Sequence, residues 1–472
     1  MSLLSKIAKN TFYQIVSKAL GTLLGLFTVG LMTRYLGQTG YGYFTTAISF
    51  LQFFAVLSDF GLQMVAAQML SKPAADQEKI FKNILALRFF SSLIFLGSGT
   101  IIAWCLPYSL LIKQGITIVS LSFLFISLQT VLISVFQKNL EMSRVALAEI
   151  WGRLALLIGA GLTIYFQAGL IYLIWSVVVG NLLSLVILLV SGAKRLAFGF
   201  AFDLKIWKKV FDQAWPLSIT IALTLVYFRA DMIILSLSRP ANEVGLYGAA
   251  YRVLDVLVQF PYLFLGLLLP ILTKFFVTSK EAFKNILQKS FDLMAIIVWP
   301  MVLASLVLGE KIMVLIAGAD FLPAGQIIKL LTLAAAAIYF SALFGYAIVA
   351  AELQKKMIKF YLFNAALALI LYVILIPLYS YWAAAWLTVL SEALMALFAF
   401  HLLRKNLNVS FKFKIFTKAA LAGLIMSLVL LALISQNLVT LIIIGLLVYF
   451  FMLYALRGIE KKTILEIMKF KN

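Results

Sequence analysis

The sequence contains one cysteine, Cys105, and one histidine, His401. A single thiol excludes an intramolecular disulfide and leaves nothing to hold a thiolate metal site or an iron–sulfur cluster. A single imidazole argues against zinc, which takes three or four protein ligands. Charge is scarce too. Only 12% of the residues are charged, where a soluble domain carries roughly 25%. Hydrophobic residues make up 64%, against roughly 45–50% in such a domain. That leaves too little polar surface to cover a water-soluble particle of 472 residues. A cytosolic enzyme, a secreted disulfide scaffold and a disordered chain are all excluded.

What is present is a succession of apolar runs, each long enough for a helix to cross the roughly 30 Å bilayer core. Fourteen spans are expected, at 12–36, 43–70, 85–105, 115–137, 147–166, 169–191, 214–237, 246–272, 291–308, 326–350, 360–378, 381–403, 418–435 and 438–456. The stretch Lys311–Ala317 reads as a short interfacial helix between two of them. The first run is long enough to span and is followed by no small-residue cleavage site, so it is read as a span rather than a leader. The fold class is an all-α polytopic membrane protein.

The formal net charge is +21. Its distribution explains it. One set of alternate loops carries Lys72, Lys79 and Lys82, Lys194 and Arg195, Lys355 and Lys356, and Arg404 and Lys405, among others. The other set carries only Lys113, Arg239, Lys311 and Lys329. Basic residues collect on cytoplasmic loops, so both termini are expected inside. Topology and contact with anionic lipid account for the surplus without nucleic acid as a partner.

The halves repeat. Gly42-Tyr43-Phe44-Thr45-Thr46-Ala47 follows the first span, and Gly245-Leu246-Tyr247-Gly248-Ala249-Ala250 follows the seventh, at an offset of 203 residues. Both read Gly-x-aromatic-x-x-Ala. Each half holds six spans, an even number, so the halves enter the membrane in the same orientation. The expected division is an N-lobe over 1–191, a cytoplasmic linker over 192–213, a C-lobe over 214–403, and two further helices with a tail over 404–472. The two lobes would be related by a pseudo-twofold axis along the membrane normal. Parallel repeats of this kind are one architecture of secondary transporters.

Ionisable groups inside spans are costly and need a reason. The basic ones are Lys18, Arg34, Arg88, Arg153, Arg229 and Arg252; the acidic ones are Asp59, Glu149, Asp231, Asp255 and Glu392. Arg34 and Arg88 lie near the expected helix ends, from which long side chains snorkel to the interface. Glu149 with Arg153, and Arg252 with Asp255, are spaced to pair along a helix. Arg229 and Asp231 point to different faces and each needs a partner elsewhere. Asp59, in Ser58-Asp59-Phe60-Gly61, either caps a helix break at Gly61 or serves transport. Glu392 falls near the middle of its span, where snorkelling is hardest; it either holds a proton or cation or pairs with a base. Pro216, Pro261, Pro270, Pro300 and Pro377 lie in or at the ends of spans. They free carbonyls and bend helices; the eighth span, with two of them, is the candidate element for bending during transport, the alternative being static kinks that fit packing.

Several of these stretches carry a family resemblance: Lys9-Asn10-Thr11, Arg34-Tyr35-Leu36-Gly37, Gly40-Tyr41-Gly42-Tyr43, Ser58-Asp59-Phe60-Gly61-Leu62, Arg229-Ala230-Asp231, Val244-Gly245-Leu246-Tyr247 and Ala250-Tyr251-Arg252. In them the chain resembles the polysaccharide-transporter branch of the multidrug/oligosaccharidyl-lipid/polysaccharide (MOP) flippase superfamily, and within it the Wzx-type O-antigen flippases. The resemblance covers nearly the whole chain. It implies two six-helix lobes around a cavity that opens alternately to each side. It implies transfer of an undecaprenyl-pyrophosphate-linked oligosaccharide from the cytoplasmic to the periplasmic leaflet of a bacterial inner membrane. Coupling to Na+, H+ or the membrane potential follows, with no other cofactor and no metal.

On this reading Lys18, Arg34, Arg88 and Arg153 form a cationic cavity for the pyrophosphate or acidic sugars, since Arg and Lys recognise phosphate well. Asp59, Asp231, Asp255 and Glu392, with Arg229 and Arg252, serve ion coupling or gating. Tyr227, Tyr251 and Trp151 either stack on sugar faces or pack. Membrane lipids surround a chain expected to work as a monomer, with polysaccharide polymerase machinery as a downstream partner. Two alternatives share the superfamily: a lipid II flippase, differing in cargo, and a MATE-type drug/cation antiporter, which would want an acid-rich cavity. A membrane glycosyltransferase would need a metal-binding Asp-x-Asp pair or a large external loop, and neither is present; the chain is not expected to be an enzyme.

Overall fold

The structure is a computed structural model that describes residues 3–59, 61–71, 76–192 and 199–458. All regular elements among these are helical. In chain order they are α1 (Leu3–Asp59), α2 (Leu62–Ser71), α3 (Gln77–Cys105), α4 (Leu110–Lys138), α5 (Met142–Tyr165), α6 (Leu170–Gly192) and α7 (Leu204–Ser238). Then come α8 (Ala241–Leu257), α9 (Gln259–Thr278), α10 (Lys280–Ala317), α11 (Ala324–Ala350), α12 (Gln354–Leu407), α13 (Lys414–Ala432) and α14 (Leu438–Ala455). Twelve helical stretches among the described residues are long and apolar enough to cross a bilayer. The chain is a multi-pass membrane protein.

Two of those stretches contain a reversal. In α1, Gly37 takes φ +63° and ψ −176°, so the first and second expected spans join through one residue instead of a loop. Glycine lacks the β-carbon that makes this region costly. In α12, Ser380 takes φ +56° and ψ −144° and joins the eleventh and twelfth. Its hydroxyl donates to Glu243, which the Arg239 guanidinium grips through Nε at 2.8 Å and Nη2 at 2.9 Å. That bidentate clamp holds a serine where glycine would be expected.

Several boundaries differ from the hydropathy pattern, each for a local reason. Helix α3 begins at Gln77, eight residues before the apolar run, because Asp76 accepts the Lys79 amide at 2.9 Å and caps it. Helix α7 begins at Leu204, inside the expected linker, because Asp203 accepts the Lys205 amide at 3.0 Å; the rest of its first turns is lysine-rich and reads as loop. Lys311–Ala317 is no separate helix. It is the end of α10, which Gly318 stops at φ +102°, and a 3-10 turn at Ala319–Phe321 leads into α11. The second span does break next to Asp59, with Gly61 at φ +72°.

The prolines leave carbonyls that neighbours satisfy. The eighth span is two helices, α8 and α9, meeting at Val258. Pro261 cannot serve the Leu257 carbonyl, and the Tyr339 hydroxyl donates to it at 3.0 Å. Pro300 in α10 likewise frees Ile296, whose carbonyl accepts from Tyr449 of α14 at 2.7 Å. Such re-satisfaction is what lets proline sit in hydrocarbon. Pro216 lies in α7.

The chain divides into two compact units, Met1–Gly248 with Tyr372–Ser380, and Ala249–Leu371 with Tyr381–Asn472. In the first, Phe81, Ile84, Leu132, Phe136, Leu185 and Val210 pack α3, α4, α6 and the start of α7 together. In the second, Leu303, Met426, Leu430, Leu441 and Tyr449 seat the α13–α14 pair on α10.

Candidate functional site

The ionisable residues of the first unit fall into three arrangements. The first is built on α5 and α1. Arg153 and Glu149 pair along α5, with Nη2 at 3.0 Å and Nε at 3.3 Å from Glu149 Oε1. The side chains are 36% and 29% exposed. The guanidinium lies on a notch made by two glycines of α1: a β-carbon on Gly21 would stand 2.7 Å from Arg153 Nε, and one on Gly25 3.1 Å from Nη1. Nη1 makes no hydrogen bond among the described residues. Lys18, half-buried, lies one turn before Gly21, and the spacing 18, 21, 25 places all three on one helix face. The site therefore offers a cation with unused donors, beside a second cation.

The second arrangement is closed. Arg88 is 4% exposed. Its Nη1 meets Asp59 Oδ1 at 2.7 Å and the Ser58 carbonyl at 3.1 Å, while Nε donates to the Ser127 carbonyl at 3.3 Å. The break after Asp59 leaves the Ser58 carbonyl without a helical amide, and Arg88 and Ser91, at 3.3 Å, fill that role. The expected snorkelling of Arg88 does not occur. With α3 starting at Gln77, Arg88 lies eleven residues in, about 16 Å along the axis. Arg34 instead is exposed and folds back to donate to its own helix at the Gly30 carbonyl, at 2.9 Å.

The third is at Asp231, which is fully buried. Its carboxylate accepts the Tyr247 hydroxyl at 2.5 Å and the Met232 amide at 2.8 Å. Arg229 lies over the Phe228 ring, 5.1 Å from its centre. Close by in sequence is the meeting of the two repeat motifs. A β-carbon on Gly42 would collide with the Ala241 carbonyl oxygen, and one on Gly245 with that of Gln38. Residues 38 and 241, like 42 and 245, are 203 apart. The contact is thus reciprocal, as a twofold requires.

In the second unit, Glu392 is 5% exposed and accepts one hydrogen bond, from Ser341 at 3.3 Å. Arg252 and Asp255 approach to 3.8 Å, an ion pair beyond hydrogen-bond length. Sequence reasoning, which looked only for ionisable groups, missed Asn364: it is 1% exposed, and neither amide atom has a hydrogen-bond partner among the described residues. Tyr227 and Tyr251 are buried, whereas Trp151 is exposed. An apolar cavity of about 360 Å³ opens between α10, α13 and α14, lined by Ile296, Pro300, Met426, Leu441 and Phe450. Among the described residues no group of three or more His, Cys, Asp or Glu could hold a metal ion.

A family model for polysaccharide biosynthesis proteins matches residues 7–276. The chain belongs to the polysaccharide biosynthesis protein family. No curated protein matches the chain. Among solved structures it is similar to the lipid II flippase MurJ in an inward closed conformation, at 17% identity over 94% of this chain and 98% of that one, with a TM-score of 0.77. It is similar to an inward-facing multidrug resistance MATE family transporter of the MOP superfamily, at 12% identity over 84% and 98%, with a TM-score of 0.65. A third likeness is to a MOP superfamily transporter from Pyrococcus furiosus, at 10% identity over 85% and 95%, with a TM-score of 0.59. At these identities the likeness is one of fold. Of the three arrangements in the first unit, the one around Arg153 has hydrogen-bond donors left to offer.

Proposed function

We propose that this protein is a flippase for an undecaprenyl-pyrophosphate-linked oligosaccharide, such as an O-antigen repeat unit, moving it from the cytoplasmic to the outer leaflet of a bacterial inner membrane by alternating access. The observation that carries this reading is Arg153, held by Glu149 over the Gly21–Gly25 notch with Nη1 unused and Lys18 on the same face of α1. A pyrophosphate loses its water in hydrocarbon at high cost. A pre-positioned guanidinium and an ammonium lower that cost through charge-assisted bonds. Arg34 extends the cationic set toward the interface. Arg88 belongs to the same set as a fixed charge whose bonds are spent on Asp59 and two carbonyls. The isoprenoid tail stays in lipid.

Counting α1 and α12 as two spans each, at Gly37 and Ser380, gives fourteen. The reciprocal Gly42–Gly245 contact favours two six-span lobes, over 1–191 and 214–403, about a twofold along the membrane normal. The basic loops favour cytoplasmic termini. Asp231, Asp255 and Glu392, with Arg229 and Arg252, serve coupling to Na+ or H+, and Asp59 serves the hinge of the second span. The chain works as a monomer among membrane lipids and delivers its cargo to polysaccharide polymerase machinery.

Reconstituted flipping tests the reading. The purified chain goes into liposomes with a fluorescent undecaprenyl-pyrophosphate oligosaccharide, and leaflet exposure is followed beside Lys18→Ala, Arg153→Ala and Glu392→Gln. Protein-dependent flipping that fails in the basic-site variants supports it. No flipping, with gradient-driven efflux of small cationic dyes instead, moves the assignment to a MATE-type antiporter. Flipping of lipid II in preference to the oligosaccharide moves it to a lipid II flippase.

A further inference from the structure

Cations near the helix ends fall into two groups. In the first, Lys79 pairs with Asp203 at 2.7 Å, Lys82 with Glu78 at 2.6 Å and Arg144 with Glu141 at 3.4 Å. In the second, Lys289 on α10, Arg404 at the end of α12, and Lys412 and Lys414 at the start of α13 are all exposed. None of them forms an ion pair among the described residues.

The segment that carries Lys412 is fixed from both sides. Lys284 donates to the Asn408 carbonyl at 3.0 Å. Gln288 donates to the Lys412 carbonyl at 3.0 Å and accepts its amide at 2.8 Å. Phe411 stacks on Phe291 with ring centres 4.6 Å apart. Next to Lys412, Phe413 is 52% exposed. It leads into α13, whose first turn has no side-chain cap. Uncapped amides at a helix start attract anions.

We propose that this edge of the second unit, formed by the ends of α10, α12 and α13, is a docking surface for the phosphate headgroup of an anionic phospholipid. Unpaired lysines, open helix amides and an exposed ring are the complement of a headgroup whose first acyl carbons lie beside it. Clusters of cations just beyond spanning helices bind anionic lipid, each lysine contributing about fivefold in affinity. The edge lies toward the ends of helices long and apolar enough to cross a membrane. Lys79, Lys82 and Arg144, each paired with an acid, offer no such surface. The assignment goes beyond the transport reading and does not need its cargo.

The test is lipid retention by the full chain. Protein from nanodiscs of phosphatidylcholine with a rising share of phosphatidylglycerol is examined by native mass spectrometry, and the retained lipids are counted. The variant Lys289→Gln/Lys412→Gln/Lys414→Gln should bind phosphatidylglycerol on the order of a hundredfold more weakly than wild type. The matching lysine-to-arginine variant should keep it, which separates lost charge from lost fold. Lys79→Gln/Lys82→Gln/Arg144→Gln in the first unit, where each cation is already paired with an acid, should retain as much lipid as wild type. Equal retention by the α10–α13 glutamine variant, or an equal loss in the first-unit variant, overturns the assignment. Stronger competition by soluble polyglutamate than by phosphatidylglycerol vesicles also overturns it, in favour of an acidic protein partner. Because retention is read without transport, failure of the flipping assay leaves this result standing, and the reverse.

Discussion

Two arginine–carboxylate pairs lie within spans of the first unit, and they differ in almost everything but chemistry. Arg88 with Asp59 is 5% and 23% exposed; Arg153 with Glu149 is 36% and 29% exposed. Arg88 is surrounded by carbonyls that a broken helix and its neighbour leave open, so its donors are committed to structure. Arg153 rests on Gly21 and Gly25 with its Nη1 making no hydrogen bond among the described residues, so it is positioned without being fully satisfied. On the proposed reading, an intramembrane cation is a ligand site only where the backbone beneath it has no use for its hydrogens.

The comparison breaks most visibly at Arg88. Arg88→Ala leaves Asp59 buried without its partner, which costs about 3–5 kcal/mol. The thermal midpoint of the detergent-solubilised protein should fall steeply, and Asp59→Asn beside it should restore part of the loss. If Arg88→Ala melts like wild type, the locking role is wrong. Arg153→Ala should do the opposite. Stability holds, while flipping drops about ten- to hundredfold, the equivalent of one charge-assisted hydrogen bond. Arg153→Lys should recover only part, since one ammonium cannot both hold Glu149 and face the ligand. A variant that melts early while flipping normally when cold would reverse the two assignments.

A smaller effect is expected at Tyr449→Phe, which removes the donor from the Ile296 carbonyl that Pro300 frees. Its cost is about 1–2 kcal/mol, visible as a lower melting temperature, and Pro300→Ala in the same chain should cancel it by returning an amide. The smallest is at the Lys79–Asp203 pair on the surface. The hydrogen bond from Lys79 holds the Asp203 carboxyl below the usual carboxylate range. A carboxyl lowered in the folded state contributes stability above its unfolded pKa and loses it as pH falls through the folded value. Lys79→Met should flatten the melting temperature against pH only on the acid side of that range. A change above neutrality would contradict the sign.

The spans were legible because hydrocarbon imposes a length and a composition on each helix. The break between Asp59 and Gly61 was legible too, as a glycine two residues after a capping residue type. What the sequence hid was set by partners far along the chain. Arg88 read as a snorkelling residue because the helix start at Asp76 lies in a polar stretch that hydropathy counts as loop. The turn at Ser380 read as an ordinary gap because the clamp that stabilises it, Arg239 with Glu243, is 137 residues from it at the carboxylate. Asn364 carries no charge and gave no signal, although burial with both amide atoms unpaired makes it as costly as an ion pair left half-made. The Gly-x-aromatic-x-x-Ala repeat gave only an offset; that its two copies touch could not be read from spacing.

That touching surface is backbone against backbone. Gly42 meets Ala241 and Gly245 meets Gln38 with no side chain between them. A joint of this kind has no proton to lose, no counterion to shed and no dipole to turn in a field. It is an insulated seam, indifferent to acid, salt and voltage.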